Sequence, residues 1–136
     1  MKQAKQKPLP FVAEYRLLVC YKYSPQFKAM VIRVSLRTID EFSNFLYEIV
    51  VEDTIKGNTL SLNIHGLRAP RQTLPAFGPA TFTKEYRSLE HIDEIVVAKL
   101  DGVENSFQVK ISKDSVILKQ SPKDNFVQFT TKEEEW

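Results

Sequence analysis

Apolar and polar residues alternate with period two along most of the chain, the pattern of strands that bury one face. Between Phe11 and Tyr23, the residues Phe11, Ala13, Tyr15, Leu17, Val19, Tyr21 and Tyr23 share one face, and Glu14, Arg16 and Lys22 share the other. After Ser24, Pro25 and Gln26, a turn by composition, Met30, Ile32, Val34 and Leu36 alternate with Val31, Arg33, Ser35 and Arg37. This predicts an antiparallel partner strand. A turn centred between Pro25 and Gln26 sets Val19 opposite Ile32, Leu17 opposite Val34, Tyr15 opposite Leu36 and Glu14 opposite Arg37. Both apolar faces then coincide, as register demands.

Thr38 to Val50 carries two patterns at once. Thr38 and Glu41 have capping-box spacing, and Ile39, Phe42, Phe45, Leu46, Ile49 and Val50 fall near helical spacing. Tyr47 to Glu52 is rich in β-branched residues and leads through a polar stretch into the clean alternation of Thr59 to His65. The expectation is a short helical turn near 39–45 followed by a hairpin. Further strands are expected over Ala80 to Arg87, Glu94 to Leu100, Glu104 to Ser112, Ser115 to Lys119 and Phe126 to Thr130, with Phe107, Val109 and Ile111 inward. About nine short strands with turn signals between them predict an all-β fold. Two packed antiparallel sheets, a β-sandwich of immunoglobulin-like or related architecture, is the first expectation, and a small β-barrel is the alternative. The Cys-to-Cys bridge around a core Trp that marks immunoglobulin domains is missing, so the likeness is one of architecture.

A chain of 136 residues is the size of one domain. The body is expected over 11–130, between a flexible basic arm at 1–10 with Lys2, Lys5 and Lys7 and an acidic tail at 131–136 that ends in three glutamates and Trp136. Such a tail is expected to fray. Cys20 is the single cysteine, which excludes an internal disulfide and a Cys-x-x-Cys motif. No apolar run approaches the ~20 residues of a membrane helix, and the reading is a cytoplasmic protein without a membrane partner. The net charge of +2 is small, but charges come in blocks: +5 over 15–38, −5 over 40–53, +4 over 54–88, −4 over 89–104 and +3 over 105–123. Successive antiparallel strands would set opposite charges against each other. One basic surface would arise only if non-neighbouring segments met.

Candidate chemistry concentrates in His65 to Ala80, which holds two of the four glycines, three of the seven prolines, Arg68, Arg71 and one of the two histidines. Gly66 could let a backbone N–H approach an anion, and Arg68 with Arg71 could clamp a carboxylate or phosphate. The plainer reading is a crossover closed by Leu74 and Phe77. Cys20, His65 and His91 have no metal-ligand spacing, no nucleophile elbow or phosphate loop is present, and adjacent carboxylates point apart on a strand. No catalytic residue, metal or cofactor is expected. Basic residues Arg16, Arg33 and Arg37 share a face with few aromatics, against the interleaving that single-stranded nucleic acid requires. The reading is a non-enzymatic module that binds a protein partner or self-associates, with binding residues His65, Arg68, Arg71, Arg33 and Arg37. A nucleic-acid- or anion-binding module is the alternative, and an enzyme the third reading.

Overall fold

The computed structural model describes residues 13–71 and 74–136. The basic arm expected over 1–10, together with Phe11, lies outside them. Nine strands follow in chain order: β1 Tyr15–Ser24, β2 Ala29–Phe42, β3 Glu48–Lys56, β4 Thr59–Arg68, β5 Gly78–Tyr86, β6 Glu94–Ala98, β7 Glu104–Ile111, β8 Val116–Gln120 and β9 Val127–Thr130. They form one sheet in the order β8-β7-β6-β4-β3-β5-β2-β1-β9, curled until it is nearly barrel-shaped. The all-β fold expected from alternation is present, with all nine strands joined in one sheet. The sheet is mixed, because β1 and β9, β3 and β5, and β4 and β6 pair in parallel. Among the described residues no helix is long and apolar enough to cross a membrane.

Alternation dictates which residues fill the interior. Leu17 and Val19 of β1, Ile32, Val34 and Leu36 of β2, Leu60 and Leu62 of β4, and Phe107 of β7 are fully buried, one residue in two along each strand. Phe126, which precedes β9, is fully buried beside them.

The β1–β2 ladder keeps the expected faces but slips by two residues. Val19 lies opposite Val34 and Tyr21 opposite Ile32. The turn takes four residues, closed by the Lys28 N–H on the Ser24 carbonyl at 2.7 Å and by a left-handed Lys28 at φ 55°. An even slip leaves every side chain on its original face. It does change the outer pairs: Arg37 faces Arg16 rather than Glu14.

The helical turn expected near 39–45 does not form, because β2 runs on to Phe42. Thr38, read as a helix cap, is used otherwise. Its hydroxyl donates to the Asp40 carbonyl at 2.8 Å and accepts the Ala80 N–H at 2.9 Å, filling the ladder where β2 bulges against β5. Phe42, one of the residues at helical spacing, meets Tyr47 edge to face across the bend at 5.3 Å. Tertiary contacts override the local signal.

The chain's last segment is also docked. A single 3-10 turn, Glu133–Glu135, carries it across the outer face of β1, where the Trp136 indole N–H donates to the Arg16 carbonyl at 3.0 Å. The frayed tail expected from composition is therefore corrected.

Candidate functional site

The region expected as a loop from His65 to Ala80 begins as strand, since β4 continues to Arg68. Gly66, at φ +131°, sits where the β3–β4 register shifts, a backbone position that favours glycine. His65 Nε2 lies 3.5 Å from Glu52 Oε1. Arg68 faces Glu48 across the ladder and donates to its carboxylate through Nε at 3.0 Å and Nη2 at 2.6 Å. Arg71 lies beyond the strand on the exposed surface. Arg68 is thus engaged by a cross-strand carboxylate.

Leu74 and Phe77, expected to close over the end of the fold, are 73% and 68% exposed. They do not stand alone. Strand directions put the β2–β3 loop, the β4–β5 loop and the β6–β7 loop at one end of the sheet. These loops carry Leu46, Leu74, Phe77, Leu100 and Val103, and the end of β4 adds Leu67, all exposed. The Ala76 N–H donates to the Asn44 carbonyl at 3.1 Å, which joins two of the loops. A depression of about 300 Å³, lined by Tyr15, Ile64, Gly66, Lys99, Leu100 and Asp101, sets the third loop beside β1 and β4. Asp40, Glu41, Asp101 and Glu104 are exposed around this end.

Arg16, Arg33 and Arg37 share the outer face of β1 and β2, as alternation requires. Pairing of β2 with β5 brings the blocks 15–38 and 54–88 side by side, so non-neighbouring basic segments do meet. Arg33 donates to Glu85 at 2.8 Å, and the Ser24 hydroxyl donates to the same carboxylate at 2.7 Å. Arg37 donates through Nε to the Thr38 carbonyl at 3.0 Å and lies 4.0 Å from Glu41. Cys20 is half-buried on this face, and burial and then the nearby Glu133 carboxylate push its thiol pKa up, away from a reactive thiolate.

A polar cluster that sequence reasoning missed lies between β3 and β5. Asp53 Oδ2 accepts from Lys84 Nζ at 2.7 Å and from the Tyr86 hydroxyl at 2.8 Å. Burial works to raise the Asp53 pKa, but the hydrogen bonds from Lys84 and Tyr86 outweigh it and hold the carboxyl below its ordinary value. Burial, and then the bond to Asp53, push Tyr86 up. The signal was present in the sequence: Asp53 is in phase with Ile49, Val51 and Ile55, and Lys84 is in phase with Phe82 and Tyr86.

A depressed carboxyl contributes stability that is present above its unfolded pKa of about 3.9 and is lost as pH falls through the folded value. Wild type is therefore expected to lose stability relative to Asp53→Asn as pH is lowered from about 5 to 3. Chemical denaturation of both proteins across that range measures the difference, and parallel pH profiles would refute the assignment.

Among the described residues no group of three His, Cys, Asp or Glu side chains is placed to hold a metal ion. No family model, curated protein or solved structure matches the chain.

Proposed function

We propose that the protein is a non-enzymatic cytoplasmic binding module built on a β-barrel, and that it engages a protein partner through the loop end of the sheet. The observation that carries this reading is the convergence of Leu46, Leu74, Phe77, Leu100 and Val103 from three loops, with Leu67 at the end of β4, onto one end. Single exposed apolar residues are ordinary on a soluble domain, whereas a contiguous set is costly to leave in water and marks contact surfaces. Phe77 and Leu100, which with Leu74 are the most exposed of the set, are the anchors of the contact. The acidic side chains around this end fit a partner segment that is apolar at its centre and basic at its flanks. Arg68, held by Glu48, orients the loop, and Arg71 lies at the rim.

A photo-crosslinking residue at position 77 tests the contact by capturing whatever lies against it in cells. The captured protein, purified, is expected to bind wild type at least tenfold more tightly than the double variant Phe77→Ser, Leu100→Ser. Melting of the variant should be nearly unchanged, because substitutions at exposed positions usually stay within about 0.5 kcal/mol. Equal affinity for both proteins would overturn the reading. Self-association lost in the same variant, measured by sedimentation velocity, would make a second copy the partner.

A further inference from the structure

We propose that the outer face of β1, β2 and β9 is a second contact surface, one that receives an acidic, tryptophan-bearing segment of a partner protein, and that residues 131–136 occupy it in cis as a cap. It goes beyond the loop-end reading and does not depend on it.

The argument begins with a like-charge pair. Arg16 and Arg37 lie directly opposite each other on the outward side of the β1–β2 ladder. Facing cations are unfavourable unless an acceptor lies between them. That acceptor is the main-chain oxygen of Trp136, which takes Arg16 Nη1 at 3.3 Å and Arg37 Nη1 at 3.2 Å. The indole N–H returns a bond to the Arg16 carbonyl, so backbone and side chain of the tryptophan are both read. Gln128 of β9 completes the row by accepting from Arg16 Nε at 3.3 Å. Further along β1, Lys22 Nζ holds Glu133 at 2.6 Å. The face therefore recognises three features at fixed spacing: a carboxylate at Lys22, a main-chain oxygen between two guanidinium groups, and an indole at Arg16.

The cap is built to leave. Lys132, Glu133, Glu134 and Glu135 are exposed, and the Lys22–Glu133 pair is open to water, so salt weakens the hold. Tethering gives the cap an effective concentration in the millimolar range, against which a partner segment must compete. A partner that presents the same features on a rigid scaffold, or at several copies, displaces it.

Trp136 is the single tryptophan of the chain, so its emission reports the state of the cap directly in the native protein. Raising sodium chloride to about 1 M is expected to shift the emission to the red with no change in circular dichroism, by screening the ion pair. A labelled peptide with the sequence of residues 130–136 is the probe for binding in trans. By fluorescence anisotropy it should bind the variant Glu133→Gln, Trp136→Ala at least tenfold more tightly than wild type. Adding Arg16→Gln and Arg37→Gln to that variant should abolish the gain, and circular dichroism verifies that each variant is folded. No peptide binding to the uncapped variant at millimolar concentration would overturn the proposal. Equal binding of a peptide with alanine for tryptophan would overturn the indole requirement. Tighter binding of an oligothymidylate than of the peptide would replace the protein partner with nucleic acid.

Discussion

Asn105→Ala is expected to lower the melting temperature by on the order of 10 °C, the cost of unpinning the segment that leads into β9. The Asn105 side chain is buried in β7, and its Oδ1 accepts the N–H groups of both Phe126 and Val127, at 2.9 and 3.1 Å. Its Nδ2 donates to the Asp124 carbonyl at 3.0 Å. One side chain thus replaces the ladder that this stretch, running between β8 and β9, does not have. Truncation strands two buried donors and an acceptor, each worth roughly 1–3 kcal/mol when left unsatisfied. A combined loss of about 3 kcal/mol, at roughly 4 °C per kcal/mol for a domain of this size, gives the expected shift. Differential scanning calorimetry measures it directly. Asn105→Asp keeps the acceptor, and in acid, where the new carboxyl is neutral, its O–H is able to donate to the Asp124 carbonyl in place of the amide, so it should fall between wild type and alanine. A shift below about 2 °C for the alanine variant would mean that Asn105 does not hold β9 in place.

Asn105 also indicates what the amino-acid sequence disclosed and where it stopped. It has the parity of Phe107, Val109 and Ile111, so alternation alone places this polar side chain inward, where it must find partners. Asp53 and Lys84 carry the same signal. The strands were legible for the same reason: a face buried one residue in two leaves a period-two record, and all nine expected strands overlap observed ones. Short-range conflicts were less legible. Thr38 and Glu41 have the form of a helix start, and only the Ala80 N–H from β5, more than forty positions away, turns Thr38 into a strand residue. Sheet order left no local trace at all. The parallel pairings of β4 with β6 and of β1 with β9 depend on crossovers, and no alternation pattern names its neighbour. Arg33 and Arg37 were correctly placed together on one face, but their surroundings were not foreseen. The two-residue slip that sets Arg16 against Arg37 comes from the left-handed Lys28, and the tail that answers that pair has no apolar period to announce it. At the loop end the expected residues were polar, His65, Arg68 and Arg71, whereas the residues left most exposed are Leu74, Phe77 and Leu100.

Phe107→Ala is expected to cost the most, about 3–5 kcal/mol, the usual loss for emptying a fully buried aromatic site. Phe107 belongs to β7, next to one edge of the sheet, and Phe129 belongs to β9, at the other edge. Their rings nevertheless lie 5.1 Å apart at 37°, a contact that a flat sheet could not make. The curl of the sheet brings the two edge regions onto one core, and the aromatic pair adds roughly 0.5–1.5 kcal/mol beyond its buried area. The two edge strands flank a groove of about 370 Å³ that includes Val116, Leu118 and Phe129, with no ladder across it. Side-chain packing rather than backbone pairing therefore holds this side of the fold together. Removing Phe107 should loosen β9 first and the tail after it. Hydrogen exchange is expected to accelerate at Val127 to Thr130 more than at the central strands, and the emission of Trp136 should move to the red below the melting transition. Phe107→Leu retains most of the volume and should do each of these to a lesser degree. A loss under about 1 kcal/mol in the alanine variant, with exchange in β9 unchanged, would mean that the two edges do not share a core and that the sheet is open.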